Sequence, residues 1–327
     1  MATVFVAVGI ALILYVGYRL YQHLFPPPNI NANGKYVLIS GCDSGFGHGL
    51  AIELDKQGFH VLASVFNPDA EERLTSQLSN RATVFCLDIT QQQDIDIAYD
   101  IVTKKTNTLH ALVNNAGIGN RGFIDWTSLD FVRETMEVNF FGHVSMTKKF
   151  LPLLISRRGS RVVNICSVAG YMATAGVSAY ACSKFALEAF SDCLRREMYS
   201  WGLYVSIIEP GYMRTPIIEA YEHTCRNLWA DVPEDVRKRW GEDFFRDYMI
   251  KIEKHPFIIN AENPQKVIKA IRHAVMNTAP RIRYRPGWQS SLFFFPLSML
   301  PAWLADYILI KIKGAYATPT GILEQSD

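Results

Sequence analysis

Tyr180 and Lys184 stand at i and i+4 in Tyr180-Ala181-Cys182-Ser183-Lys184, which puts a phenol and an ammonium on one face of a helix. A phenol with a pKa of about 10 is a poor base at neutral pH, and a neighbouring positive charge favours the phenolate. A phenolate held there can take the proton of an alcohol while hydride leaves the carbon. Ser167, upstream and just past a predicted strand, can hydrogen-bond the oxygen of the same substrate. The spacing alone is a cheap signal, because Tyr307-Ile308-Leu309-Ile310-Lys311 repeats it inside an apolar stretch near the end of the chain. What separates Tyr180 from Tyr307 is company: a serine, a strand and, far upstream, a glycine loop.

That loop reads Ser40-Gly41-Cys42-Asp43-Ser44-Gly45-Phe46-Gly47 and joins a predicted strand to a predicted helix. Glycines there allow a tight turn and let a pyrophosphate approach the backbone over the positive end of a helix. The loop therefore predicts a dinucleotide, and hydride chemistry makes it a nicotinamide whose oxidised ring adds positive charge beside Tyr180. The end of the second strand tests which dinucleotide. An acid there would hold the ribose hydroxyls, and a base would meet a 2′-phosphate. Ser64-Val65-Phe66-Asn67 supplies neither. A 2′-phosphate must be neutralised, so the missing cation argues for NAD over NADP.

Elements that alternate between strand and helix must position these residues. Strands are expected at Tyr36–Ser40, His60–Phe66, Thr83–Leu87, Ala111–Asn114, Arg161–Ile165 and Tyr204–Ile208, with helices around Leu50–Gln57, Ile95–Lys105 and Ser178–Ser200. Such alternation indicates βαβ units and a Rossmann-like, doubly wound α/β parallel sheet buried on both faces. Ligands of such sheets bind beyond the carboxyl ends of the strands. No repeat or linker divides residues 34–287, so a single catalytic domain is expected there.

With these motifs in order, the chain resembles the short-chain dehydrogenase/reductase family from about Gly34 to Gly287. The resemblance rests on the glycine loop, Leu87-Asp88-Ile89-Thr90, Asn114-Asn115-Ala116-Gly117, Asn139, Ser167, Tyr180, Lys184, and Pro210-Gly211 with Thr215. It implies that Tyr180 is the general acid/base and that Lys184 lowers its pKa and holds the nicotinamide ribose. Ser167 would orient the substrate oxygen, and Asn139 would support a water in the proton relay. Asp88 would face the adenine, Asn115, Ala116 and Gly117 would line the cofactor, and Pro210, Gly211 and Thr215 would line the nicotinamide. Ser40 replaces the family's usual threonine and keeps the hydroxyl. The loop at Gly41–Gly47, Ser183–Asp192 and Arg283-Tyr284-Arg285-Pro286-Gly287-Trp288 are similar to membrane-bound retinol dehydrogenases and their hydroxysteroid dehydrogenase relatives. Those relatives mostly use NAD and carry an N-terminal membrane segment. Homodimers are common in the family, and the helix Ser178–Ser200 is the element expected at such a contact.

The ends of the chain are apolar. Ala2 to Tyr18 carry no charged side chain, and a helix of that length reaches roughly 26 Å, the short end of what spans a bilayer. No basic leader or small-residue cleavage site precedes Pro26-Pro27-Pro28, so residues 1–28 read as a membrane anchor rather than a signal peptide. Arg19, His23 and Lys35 follow the span, which places the body in the cytosol, with the endoplasmic reticulum as the expected membrane. Residues 288–327 hold a second apolar stretch, Leu292 to Ile310, broken by Pro296, Pro301 and Asp306. It either packs on the body or lies in the bilayer surface.

Composition narrows the remaining classes. Lys+Arg at 33 against Asp+Glu at 31, with no basic run among aromatics, gives no footprint for nucleic acid. The six cysteines form no zinc spacing, so no metal is expected, and burial as small hydrophobes is the reading for most of them. His143 reads as a surface or capping histidine, and Asp43, His48 and Cys182 are assigned no chemistry. Tyr221, Trp229, Trp240, Phe244, Phe245, Tyr248 and Phe257 read as a lid whose aromatics mostly face a core. Part of that lid can also wall an apolar pocket for a retinoid or steroid alcohol. A hydroxy acid is an alternative substrate. A silent dinucleotide-binding scaffold would have lost Ser167, Tyr180 or Lys184, and an epimerase or dehydratase fits poorly with an aromatic lid and an anchor.

Overall fold

A computed structural model describes residues 6, 9, 10, 14, 17, 27–119, 121–314 and 316–325. Seven strands form one parallel sheet: β1 (Tyr36–Ile39), β2 (His60–Val65), β3 (Thr83–Cys86), β4 (Ala111–Asn114), β5 (Arg161–Ile165), β6 (Tyr204–Ile208) and β7 (Arg283–Tyr284). Their order is β3-β2-β1-β4-β5-β6-β7, so the winding reverses between β1 and β4. Side chains alternate across each strand, which explains how one sheet feeds two cores. Val37, Ile39, Val61 and Val113 belong to one, and Leu38, Leu62 and Leu112 to the other.

Helices cover both faces: α1 (Gly45–Lys56), α2 (Asp69–Thr75), α3 (Gln92–Thr103), α4 (Leu129–Met136), α5 (Gly142–Ile155) and α6 (Ser178–Glu197). After β6 come α7 (Tyr221–Asp231), α8 (Glu234–Trp240), α9 (Glu242–Glu253), α10 (Gln265–Met276) and α11 (Ala302–Lys313), with one-turn helices between. Ser128 caps α4, its hydroxyl accepting from Phe131 N at 3.2 Å. Arg195 and Arg196 lie in the last turn of α6, where the helix dipole favours cations.

Six strands stand where the sequence places them, with ends that differ for identifiable reasons. β2 stops at Val65, because the N–H groups of Phe66 and Asn67 turn to the Asp43 carboxylate at 3.0 and 2.7 Å. β7 was not foreseen. It has only two residues, and its Arg283 is tied to Glu188, Asp192 and Glu209.

The expected anchor at residues 1–28 lies outside the described residues, apart from Val6, Gly9, Ile10, Leu14, Gly17, Pro27 and Pro28. Among the described residues no helix is long and apolar enough to cross a membrane. Beyond it the chain is stapled to the body: Asn277 Nδ2 donates to Pro27 O at 2.7 Å and Ile30 N to Met276 O at 2.8 Å. The C-terminal stretch packs inward through Phe294, Leu297 and Ala305 and presents Leu292, Met299, Trp303, Tyr307 and Ile310 outward. The six cysteines divide evenly: Cys42, Cys166 and Cys225 are buried, while Cys86, Cys182 and Cys193 are exposed.

Candidate active site

The carboxyl ends of β4, β5 and β6 surround a cavity of about 110 Å³. Ser167, Tyr180 and Lys184 all line it. Tyr180 and Lys184 lie one helical turn apart near the start of α6, with the ammonium 5.7 Å from the phenol's ring centre. Ser167 follows β5, and its hydroxyl accepts from Ala169 N at 3.1 Å. Lys184 is 4 % exposed and donates to Ile165 O at 2.9 Å. Burial holds its ammonium below the usual lysine range, against the opposing influence of Cys166 and Glu188.

The expected lowering of the Tyr180 pKa is not a property of the protein alone. Burial pushes the phenol up, Tyr221 adds to this, and the nearby Ser167 hydroxyl opposes it. Lys184 is spent on a carbonyl and sits too far off to outweigh desolvation.

Asn139 occupies a π-helical turn, Glu137–Phe141, inserted between α4 and α5. Such turns widen a helix by one residue and recur at functional sites. The side chain is wholly buried and clamps the segment after β4: Oδ1 accepts from Ile118 N and Nδ2 donates to Ile118 O, both at 2.9 Å. Its other amide hydrogen goes to Ser183 Oγ at 3.1 Å, and Ser183 in turn donates to Tyr180 O. Asn139 thus ties the β4 loop to the turn of α6 that carries Tyr180 and Lys184. Gly117 completes the junction, since a Cβ there would stand 3.2 Å from Asn139 Oδ1 and 3.8 Å from Lys184 Nζ.

The glycine loop fits a pyrophosphate. Gly45 has a positive φ of 62° and open space where a Cβ would be, and it begins α1. Ser44 makes no capping bond there, and no acid lies in the first turn, so the positive helix end is available to an anion. Gly47 is required by packing, because a Cβ would collide with Gly41 O and Asn115 Nδ2. Phe46 reaches the cavity wall.

Other residues expected to bind the cofactor serve the frame around it. Ser40 Oγ accepts from Asn115 N at 3.0 Å and Ala116 N at 3.2 Å. Asn115 Nδ2 returns bonds to Ser40 O and Gly41 O, each 2.9 Å. Asp88 accepts from Thr90 N and Oγ1 in a local turn. Pro210 O accepts from Val168 N at 2.9 Å, Gly211 packs on Gln289, and Thr215 begins the one-turn helix Pro216–Glu219.

Several residues that were assigned nothing, or not singled out, matter here. The end of β2 has both an acid and a base, delivered from elsewhere: the Asp43 carboxylate, and Arg73, which donates to Asp43 O at 2.9 Å. His143 is buried rather than on the surface, and burial together with the Lys184 charge lowers its pKa to about 3. Arg121 lines the cavity, donates to Tyr212 Oη at 2.7 Å and lies 4.8 Å over the Tyr221 ring. Gln289 accepts from Tyr212 N and donates to Phe257 O and Asn260 O. All five depend on contacts distant in sequence. Of the seven lid aromatics only Tyr221 lines the cavity; Trp229, Trp240, Phe244, Phe245 and Tyr248 build a separate core around Trp126, with Trp229 stacked on Phe245, and Phe257 packs with Val168 and Phe294. The repeat pair Tyr307 and Lys311 sits on α11 with the phenol exposed, away from this site.

Comparison with known proteins agrees with this architecture. The short chain dehydrogenase family profile matches residues 35–226. Retinol dehydrogenase 5 of Mus musculus is 41% identical over 289 residues, covering 87% of this chain and 90% of its own. The 17-beta-hydroxysteroid dehydrogenase type 6 of Bos taurus is 38% identical over 282 residues, 85% of this chain and 88% of its own. A solved short-chain dehydrogenase from Streptomyces avermitilis superposes with a TM-score of 0.66 at 26% identity, over 85% of this chain and 97% of that one.

Proposed function

Because the chain belongs to the short-chain dehydrogenase/reductase family, we propose that it oxidises a lipophilic alcohol of the retinoid or hydroxysteroid class with NAD at a membrane. The observation that carries this reading is the meeting of Ser167, Tyr180 and the buried Lys184 in one cavity whose walls include Ile118, Val168, Met172, Ile217 and Phe294. Tyr180 exchanges a proton with the substrate oxygen, and Ser167 donates to that oxygen and fixes its position. Lys184 supplies a buried positive charge that favours the phenolate once the site is filled. Apolar walls exclude water and leave few groups to compete for the oxygen. The bound dinucleotide supplies the hydride acceptor and, when oxidised, further positive charge.

The Gly41–Gly47 loop and the start of α1 would hold the pyrophosphate, with Ser40 and Asn115 keeping the loop rigid. Asp88, Ala116, Gly117, Lys184, Pro210, Gly211 and Thr215 would line the remainder. Preference for NAD is supported by the Asp43 carboxylate at the end of β2, a negative charge where a 2′-phosphate would have to sit. Arg73 works against that preference from the same corner, so the ratio of kcat/KM for NAD over NADP is the deciding measurement. A value above about ten is expected, and a value at or below one would assign the enzyme to NADP.

Membrane attachment is supported by the uncharged run Ala2–Tyr18 and by the outward apolar side chains of the last fifty residues or so, such as Trp303 and Ile310. The substrate test is to incubate detergent-solubilised protein with NAD and a panel of retinols and 3- and 17-hydroxysteroids, following NADH absorbance. Bound dinucleotide with no NADH from any member would sink the substrate class. A hydroxy acid is the second reading, favoured by the Arg121 cation in the cavity wall, and it belongs in the same panel.

A further inference from the structure

A second cavity, of about 290 Å³, lies at the opposite end of the sheet from Tyr180. Its walls come from the amino ends of the strands: Tyr36 begins β1, His110 precedes β4, Arg161 begins β5 and Tyr204 begins β6. Four cations line it, Lys35, Arg157, Arg158 and Arg161. None of them forms an ion pair among the described residues, and no carboxylate lines the cavity. Burial, and then the charges of Arg157 and Arg161, hold Lys35 below the usual lysine range.

Arg161 supplies an independent observation. It is 2 % exposed, and its two terminal nitrogens serve Val275 O and Asn277 O. Its Nε is buried without a partner. A buried guanidinium beside three more cations is a costly concentration of positive charge, and an anion in the cavity would offset that charge. Guanidinium groups match the oxygens of phosphate better than those of a spherical anion.

We propose that this cavity binds a phosphate-bearing anion. Two sources share that chemistry, a phospholipid headgroup and a free phosphate compound. The headgroup is close at hand if the membrane reading above holds, since Ile30 and Thr278 line the cavity and Thr278 N donates to Pro28 O where the N-terminal segment joins the body. The free anion needs no membrane.

The test uses full-length protein in neutral detergent and isothermal titration at constant ionic strength. The probes are inorganic phosphate, dihexanoyl phosphatidic acid and dihexanoyl phosphatidylcholine, with sodium chloride as control. Saturable binding of phosphatidic acid is expected, weakened at least tenfold by Lys35→Gln with Arg157→Gln, while alcohol turnover stays unchanged. Equal affinity for inorganic phosphate identifies a free anion as sufficient, and binding of the lipid alone identifies the headgroup. Absence of saturable binding to either phosphate overturns the proposal, as does unchanged affinity in the double variant. Should the double variant melt early, Arg158→Gln provides the same comparison, and the wild-type titration stands by itself. The readout is heat of binding, so a failed substrate assignment leaves the result intact.

Discussion

At the scale of single residues, the proposed acid/base role of Tyr180 is open to direct tests. Tyr180→Phe is expected to lower turnover by about 10²–10⁴-fold with NAD binding retained, measured by NADH formation and by dinucleotide titration. Near wild-type turnover would remove Tyr180 from the acid/base role. Burial raises this phenol's pKa, so less phenolate exists at neutral pH, and kcat/KM for alcohol oxidation should climb as pH rises through the neutral and alkaline range. A flat profile would mean that another group takes the proton. Asn139→Ala breaks three buried hydrogen bonds that join the β4 loop to α6, a loss of about 2–4 kcal/mol seen as a lower unfolding midpoint. That Tyr180, Lys184 and Ser167 share one cavity was readable because type, spacing and order coincide in one short stretch. Arg121, Gln289 and His143 were not, since their environments are assembled from segments far apart in the chain.

At the scale of elements, the glycine loop and the sheet it leaves explain most of what the sequence made legible. Central strands buried on both faces are runs of apolar residues, and Ala111–Asn114 and Arg161–Ile165 match their expected limits. β7 escaped notice because two residues carry no periodicity, and its place is fixed by Arg283 pairing with α6 and β6. The lid aromatics were expected mostly to face a core, and Trp229, Phe244, Phe245 and Tyr248 do so, burying against one another and Trp126. Composition cannot tell two adjacent cores apart. Gly47→Ala tests the loop directly: its Cβ would press on Gly41 O and Asn115 Nδ2, so dinucleotide affinity should fall at least tenfold. Unchanged affinity would show that the turn can yield without cost.

At the scale of the whole molecule, two histidines set a limit on acid stability. Burial lowers both His110 and His143 from 6.5 to about 3, so each stays neutral in the fold while the unfolded chain takes up protons. Below pH 6.5 the unfolded state binds more protons, and stability falls as pH drops toward 3, by up to roughly 1.4 kcal/mol per pH unit for each histidine. Melting temperatures between pH 7.5 and 5 should decline, and His143→Asn should flatten the decline. An equal slope in that variant would show that other groups drive the loss.

Gln289 bears on how this protein can be handled. The apolar end after Gly287 is the obvious part to remove in a shortened chain. Yet the Gln289 amide holds Tyr212, Phe257 and Asn260, and Ser290 holds Glu209 O. A chain ended at 287 would lose these bonds, and with them the support of Tyr212 and the Phe294 wall of the cavity. Polar replacements at outward positions such as Trp303 or Ile310 would leave that support in place.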